Sequence, residues 1–162
     1  SKCRFGDWEG DTVIGKGHRG ALVTLAERKS RYTVIGAVRN KTAKAVRNAV
    51  TKGLMPHKDR VHTITYDNGR EFTDHQGMAS DLETKIYFAH PYASWERGLN
   101  ENTNGLIRQY FPKQRDLTTV SSTEIEYTMD KLNHRPRKSL GYRTPHEVFF
   151  NTRTSLTVAL GS

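Results

Sequence analysis

Short apolar segments separated by turn residues fill the first part of the chain. Apolar and β-branched residues dominate three segments, as is typical of strands, at Trp8–Ile14, Gly20–Ala26 and Tyr32–Val38. Glycine and charged residues make up the two connections, at Gly15–Arg19 and Glu27–Arg31. Connections of this length join antiparallel neighbours, so the pattern predicts a three-stranded meander.

A helical period then replaces the strand pattern. Apolar residues recur at helical spacing within Lys41–Met55, where Thr42 is a suitable N-cap and Pro56 ends the segment. We predict that a strand, a short helix, a second strand and a long helix follow, at Val61–Tyr66, Phe72–Glu83, Lys85–Ala89 and Trp95–Phe111. The proline at position 112 ends the long helix.

A capping box begins the last predicted helix. Ser121 is suited to the N-cap and Glu124 to the third helical position. Ile125 and Leu132 then recur at helical spacing. The next segment, His134–Thr144, is basic and predicted to be a loop.

The predicted order of elements is βββαβαβαα. A meander followed by strand–helix–strand crossovers gives an α/β fold with a mixed five-stranded sheet, in which three strands are antiparallel, two are parallel and helices cover both faces. The length of 162 residues favours one domain with a single core. We predict this domain over residues 1–150, followed by a C-terminal tail over residues 151–162.

Charge narrows the classes of partner. Lysine and arginine number 26 against 17 acidic residues, a net charge of +9. This excess predicts salt-sensitive binding to polyanions and favours nucleic acid. The sequence has no apolar run of about 18 residues, so no membrane-spanning helix is predicted. The single cysteine, Cys3, excludes a disulfide framework and a cysteine-built zinc site, which fits a reducing compartment.

Three acidic residues stand where the predicted elements can bring carboxylates together. Asp11 lies inside a predicted strand, where aspartate is disfavoured and, if buried, needs a partner or a metal. Asp67 follows the fourth strand, at the end where α/β folds bind ligands, although Asp-Asn-Gly is also a turn signal. Glu101 falls early in a helix, where a solvated charge is the ordinary interpretation.

Together the three acids point to metal-dependent chemistry on phosphodiesters. Asp11 and Asp67 can meet because their strands are neighbours in the predicted sheet, while Glu101 shares a helix face with Gly105 and Arg108. Carboxylates that repel each other become stable around a cation, and Mg²⁺ prefers oxygen ligands. Two ions about 3.5–4 Å apart support in-line displacement at phosphorus. The sequence therefore predicts a site for Mg²⁺ or Mn²⁺, with two ions.

Several stretches of the chain resemble one family. The segment WERGLNENTNGLIRQYFPK, residues 95–113, closely resembles the third catalytic block of bacterial insertion-sequence transposases, in the branch numbered thirty. The other resembling segments are Trp8–Asp11, Leu132–Lys138 and Thr144–Pro145. The 33 residues between Asp67 and Glu101 are also the interval of this branch. The resemblance extends over about residues 6–150.

This resemblance implies a ribonuclease H-like, integrase-type core that cleaves DNA and transfers strands through a DDE triad of Asp11, Asp67 and Glu101. It also implies dimers or higher assemblies on paired DNA ends, a bacterial cytoplasmic and nucleoid-associated location, and a preceding helix-turn-helix domain. A chain that begins at Ser1 is therefore expected to be a fragment. The predicted DNA contacts are Arg108, Asn100, Asn104, Lys113, Arg135, Arg137 and Lys138.

Three alternatives remain at this stage. A ribonuclease H-like nuclease would hydrolyse DNA without joining it, and a non-catalytic module would bind DNA without any need for Mg²⁺. A retroviral-type integrase shares the fold and the chemistry. Glu71 and Glu96 are rival acids near the triad, and we retain them as supporting candidates.

Overall fold

The computed structural model describes residues 4–67, 69–89 and 98–151, with the backbone alone at positions 98 and 100. Within these ranges five strands form one sheet in the order β3-β2-β1-β4-β5. The strands are β1 Asp7–Ile14, β2 Ala21–Glu27, β3 Thr33–Val38, β4 Thr63–Tyr66 and β5 Lys85–Phe88. The pairs β1–β2 and β2–β3 are antiparallel, and β1–β4 and β4–β5 are parallel. The predicted meander and mixed sheet are confirmed.

Helices connect and cover the strands. They are α1 Ala43–Leu54, α2 His75–Leu82, α3 Gly98–Arg108, α4 Ser122–Asn133 and α5 Pro145–Phe149. Short 3-10 turns lie between them, at Lys16–His18, Met55–Arg60, Arg70–Phe72, Leu117–Thr119 and Lys138–Leu140. The predicted helix Phe72–Glu83 is shorter in the structure, because a 3-10 turn precedes it and Glu83 adopts a left-handed conformation at φ 52°.

The end of α3 also differs from the prediction. The helix was predicted to reach Phe111 but ends at Arg108, after which the chain tightens into a turn where the Tyr110 amide donates to the Ile107 carbonyl at 2.9 Å. The predicted beginning of this helix, at Trp95, lies outside the described residues.

Side-chain caps fix the starts of three helices. The Thr42 hydroxyl accepts from the Ala45 amide at the start of α1, as predicted. The predicted capping box of Ser121 and Glu124 opens α4. A second capping box, with Pro145 at the first helical position, opens the unpredicted helix α5. Its Thr-Pro-x-Glu pattern is visible in the sequence from Thr144, although no helix was predicted there.

Alternate strand residues supply two separate cores, because successive side chains of a strand point to opposite faces of the sheet. On one face Val23 and Leu25 of β2 pack with apolar residues of α1, α2 and α5. On the other face Leu22 packs with residues from α3, α4 and the segment between them. The predicted arrangement of helices on both faces is confirmed, and the two are called here the α1 face and the α3 face.

An asparagine side chain covers part of the outer edge of the sheet. Asn133, at the end of α4, donates from Nδ2 to the Thr33 carbonyl at 2.9 Å and accepts from the Thr33 amide through Oδ1 at 2.8 Å. Next along β3, the Ile35 amide donates to the Met129 sulfur at 3.3 Å. Residues of α4 therefore satisfy the amide and the carbonyl of Thr33 and the amide of Ile35.

None of the helices in the described ranges has the length and apolar character needed to cross a membrane.

Candidate active site

Asp11 lies on β1 and faces α3. Its Oδ1 accepts from the amide of the next residue, Thr12, at 2.8 Å, and its Oδ2 accepts from Asn104 Nδ2 at 3.1 Å. Each carboxylate oxygen therefore has a donor, so the side chain is held in one orientation. Asp11 lies in the predicted strand and is of intermediate exposure.

Asn104 fastens α3 to the sheet at this point. While its amide nitrogen donates to Asp11, its Oδ1 accepts from the Thr24 hydroxyl on β2 at 3.1 Å. That hydroxyl also lies 3.3 Å from the Asp11 carbonyl. Asn104 was predicted to contact DNA, and the structure gives it a positioning contact with Asp11. Thr24 was missed, although a threonine in the apolar run of β2 was a readable signal.

Glu101 lies one turn before Asn104 on the same helix face, since residues three and four apart are neighbours on a helix. The side chain of Glu101 is exposed to solvent. Because Asn104 contacts Asp11, the face that carries Glu101 is the face that α3 turns toward β1. The helix thus brings its carboxylate to the part of the sheet where Asp11 lies.

Arg108 continues this face and reaches the end of β1. Its Nη2 donates to the Ile14 carbonyl at 2.9 Å, and Nη1 lies 3.4 Å from the Phe111 carbonyl. Burial lowers the pKa of Arg108 from its usual value. The guanidinium therefore joins the end of α3 to the end of β1. Its contact with a phosphate stays a prediction. The guanidinium N–H groups that do not face these carbonyls are the donors for such a contact.

Asp67 follows β4 and turns back on its own backbone. Its Oδ1 accepts from the Gly69 amide at 3.0 Å. The parallel register pairs Glu9 of β1 with Thr65 of β4, and two more residues along each chain bring Asp11 level with Asp67. Asp67 therefore lies at the carboxyl end of the strand beside Asp11, as the sequence predicted.

The elements that carry the three acids adjoin one region of the sheet, but the acids do not form a compact cluster. Across residues 4–67, 69–89 and 98–151, no three His, Cys, Asp or Glu side chains lie close enough together to hold a metal ion. All the donors are oxygens, which suits Mg²⁺ or Mn²⁺. The predicted triad remains a prediction.

Glu71, a rival acid in the sequence, lies close to this region. It is only 8% exposed. Its Oε2 accepts from the Thr12 hydroxyl at 3.0 Å and lies 3.7 Å from Lys41 Nζ. The residue is therefore a partnered buried carboxylate beside the predicted triad. The other rival, Glu96, lies outside the described residues.

The predicted basic contacts divide into exposed and structural residues. Lys113, Arg135 and Lys138 are exposed. Arg137 is half-buried, donates from Nη2 to the Leu132 carbonyl at 3.0 Å, and has its pKa lowered by burial. The side chain of Asn100 lies outside the described residues. The contacts of all five with DNA remain predictions.

Sequence comparisons agree with this arrangement. The integrase core domain family matches residues 2–94. The transposase for insertion sequence element IS4351 of Bacteroides fragilis is 48% identical over 161 residues, which cover 99% of this chain and 49% of that protein. Transposase InsI for insertion sequence element IS30A of Escherichia coli strain K12 is 42% identical over 145 residues, which cover 89% of this chain and 38% of that protein. The predicted resemblance to insertion-sequence transposases is confirmed, and the chain spans about half the length of these curated relatives or less.

Solved structures with the same fold are also known. The catalytic core domain of BIV integrase superposes with a TM-score of 0.69 at 18% identity and covers 91% of this chain and 95% of that chain. A chain of the simian T-cell lymphotropic virus intasome in complex with PP2A regulatory subunit B56 gamma gives a TM-score of 0.75 at 17% identity, covering 94% of this chain and 57% of that chain. These similarities confirm the predicted ribonuclease H-like fold.

Proposed function

Because the chain belongs to the integrase core domain family, we propose that it is the DDE catalytic core of an insertion-sequence transposase, which cleaves DNA and transfers its strands. The observation that carries this proposal is the hydrogen bond from Asn104 to Asp11 at 3.1 Å. It links the helix that carries Glu101 to β1, which carries Asp11 and pairs with β4, the strand before Asp67. This supports the proposal that three distant segments supply acids to one region.

In this proposal Asp11, Asp67 and Glu101 hold Mg²⁺ or Mn²⁺ ions, two at full occupancy. Such ions, when bound, activate an attacking oxygen and neutralise charge on the phosphate. Asn104 keeps Asp11 in the orientation needed for binding, since a metal ligand with a fixed partner binds more effectively. Glu101, which is exposed, and Asp67, which is of intermediate exposure, would complete the site with Asp11 when such ions are bound.

The chemistry requires two displacements at phosphorus. Water first attacks a phosphodiester at the element's end and releases a 3′-hydroxyl. That 3′-hydroxyl then attacks a phosphate of target DNA, and the displaced 3′-oxygen leaves. The second step exchanges one phosphodiester for another, so it needs no external energy source. No serine or tyrosine nucleophile of the protein is required.

Basic side chains on the surface bind the DNA backbone. The net charge of +9 favours a polyanion, and phosphate contacts set orientation without reading sequence. The exposed residues Lys113, Arg135 and Lys138 are the proposed phosphate contacts. We also propose that the remainder of a longer protein holds a helix-turn-helix domain for recognising the ends, and that two or more copies act on paired ends. The relatives are transposases, which favours joining over hydrolysis alone or binding alone.

A strand-transfer assay on labelled element ends with Mg²⁺, using the full-length protein, tests this function. We expect joined products from the wild type, and none above roughly a thousandth of that rate from Asp67→Asn, because removing a catalytic carboxylate typically costs several orders of magnitude. End binding should change little. The matched control is Asp59→Asn, which alters an exposed aspartate before the opposite end of β4.

Two results would contradict the proposal. One is an Asp67→Asn protein that joins ends at a rate comparable with the wild type. The other is a wild-type protein that only nicks the ends in Mg²⁺ and never joins them to target, which would favour a hydrolytic nuclease.

A further inference from the structure

Glu71 is a buried carboxylate to which the mechanism above gives no part. It lies within the 3-10 turn Arg70–Phe72, and its side chain is buried, with 8% of the residue exposed. A carboxylate removed from water is costly unless donors or a cation compensate it. Here the Thr12 hydroxyl donates to it at 3.0 Å, and Lys41 Nζ lies 3.7 Å away. The three residues come from β1, the segment before α1 and the segment after β4, so they connect parts of the chain that are remote in sequence.

The contact with Thr12 reaches β1 from behind Asp11. Successive side chains of a strand point to opposite faces. Asp11 contacts Asn104 on the α3 face. Thr12 instead donates to Glu71, and Glu71 is paired with Lys41, which precedes α1. The Thr12 amide also donates to Asp11 Oδ1 at 2.8 Å. A shift of Thr12 would therefore move a donor of Asp11 directly.

Glu71 also lies against the backbone that follows Asp67. A Cβ placed on Gly69 would stand 2.4 Å from Glu71 Oε1 and 3.0 Å from Asp67 Oδ1. Gly69 has an ordinary φ of −68°, so space rather than backbone conformation calls for glycine here. Oxygens of both carboxylates, Glu71 and Asp67, thus lie close to the backbone of Gly69.

We propose that Glu71, with its charge compensated by Lys41, is a positioning residue that fixes the distance between Asp11 on β1 and the loop that carries Asp67. It acts through Thr12 and through the backbone at Gly69. It does not itself ligate the metal, because its partners are a cation and a hydroxyl, and because Thr12 is on the face opposite Asp11. This inference rests on the proposed function.

The test uses DNA that bypasses recognition of the element's ends. Transesterification is reversible, so a branched DNA that mimics the joined product reports the chemical step alone. The full-length wild type, Glu71→Gln, Thr12→Val and the double variant are assayed over a range of Mn²⁺ concentrations. We expect each single variant to lose roughly tenfold in maximal rate, as is common for residues that orient a metal ligand. The Mn²⁺ concentration for half-maximal rate should stay within about twofold of wild type.

Two further readouts separate positioning from other roles. The double variant should lose no more than the worse single variant, because Thr12→Val removes the donor, and Glu71→Gln the charged acceptor, of one and the same contact. Mn²⁺ binding, measured by water-proton relaxation without DNA, should be kept by Glu71→Gln within about twofold and lost by Asp67→Asn by roughly tenfold or more. The matched control is Glu83→Gln, which removes a carboxylate paired with Lys58 at 2.8 Å on the exposed surface, and its rate should equal that of wild type.

Each contrary result overturns the inference in a distinct way. An unchanged rate in Glu71→Gln means that the residue has no part in positioning. A tenfold loss of Mn²⁺ affinity means that Glu71 ligates the metal. A rate loss that disappears on cooling, in step with a lowered melting temperature, means that the role is stability alone. If the wild type itself fails to convert the branched DNA, the proposed function has failed rather than this inference.

Discussion

The two faces of the sheet use polar residues differently. On the α1 face the core is apolar, and apart from the buried contact of Thr12 with Glu71 the polar contacts between its helices are partly exposed. Arg47 of α1 donates to both carboxylate oxygens of Asp81 at 3.0 Å, at the partly exposed junction of α1 and α2. On the α3 face, the contact between Asn104 and Asp11 lies within the junction of the helix and the sheet.

This difference teaches how one domain combines stability with reactivity. A polar group inside a packed junction is unfavourable unless every donor and acceptor finds a partner. The α3 face meets that condition through Thr24 and Asn104, whose contacts also orient Asp11. Apart from the buried contact between Thr12 and Glu71, the α1 face is an apolar core without such a demand. Changes to the apolar part of the α1 face should therefore affect folding, and changes to the polar contacts around Asp11 should affect rate.

The largest expected effect comes from the α1 face. Phe149 is fully buried and stacks on Tyr32 with ring centroids 4.5 Å apart. Phe149→Ala should lower the free energy of unfolding by about 3–5 kcal/mol in urea titrations, because it leaves a cavity. The strand-transfer rate of the remaining folded protein at low temperature should stay near that of wild type. Met55→Ala, at an exposed apolar position, is the control. If Phe149→Ala lowers the free energy of unfolding by less than about 1 kcal/mol, the comparison between the two faces fails.

A change on the α3 face should lower the strand-transfer rate as well as the stability. Asn104→Leu keeps the size of the side chain but removes the donor to Asp11. We expect the strand-transfer rate to fall by roughly 10–100-fold, as for other residues that hold a metal ligand. The free energy of unfolding in urea should fall by about 1–3 kcal/mol, because the change removes two hydrogen bonds, one to Asp11 and one from Thr24. Asn48→Leu, on the exposed side of α1, serves as control. Loss of stability with full activity would reverse the assignment of the two faces.

Acid pH should lower the stability of the fold through the ion pair of Arg47 and Asp81 at the α1–α2 junction. Hydrogen bonds from Arg47, followed by that from Thr51, hold the pKa of Asp81 below its usual value. A lowered folded-state pKa contributes stability that is present above the unfolded pKa of about 3.9 and is lost as pH falls through the folded value. Arg47→Met should therefore reduce the drop in stability on the acid side of about pH 4, measured by thermal melting. Lys52→Met should leave the drop unchanged, and an equal drop in wild type and Arg47→Met would count against this contribution.

The smallest effect concerns exposed charge. Each phosphate contact that is removed lowers the salt slope of binding by about 0.9. Lys113→Ala should give that change in filter-binding titrations at several salt concentrations, while Lys52→Ala on α1 should give none. If the salt slope of each variant equals that of wild type, neither lysine contacts a phosphate.

Local signals explain how much of the fold could be predicted. The meander, α1 and α4 were evident because periodicity and caps such as Thr42 act over a few residues. The same kind of signal was present for α5 in the capping box of Thr144 and Glu147. The end of α3 was misplaced because the turn after Arg108 depends on backbone contacts that no composition reveals.

The site was less predictable because its contacts are remote in sequence. The family block identified Glu101 and its neighbours, and the strand order brought Asp11 and Asp67 side by side. The partner of Asn104 lies 93 residues away on another element, so helical spacing alone could not distinguish it from a DNA contact. The same reason applies to Arg108, whose Ile14 partner is 94 residues distant.

The side-chain amide of Asn133 has a consequence for solubility. An open strand edge is a template on which a second molecule can add a strand, and such addition begins many forms of aggregation. Asn133 takes both backbone groups of Thr33, and Met129 takes the amide of Ile35, so β3 offers an incoming chain no continuous ladder there. The sheet therefore has, on this side, a built-in barrier to unwanted self-association.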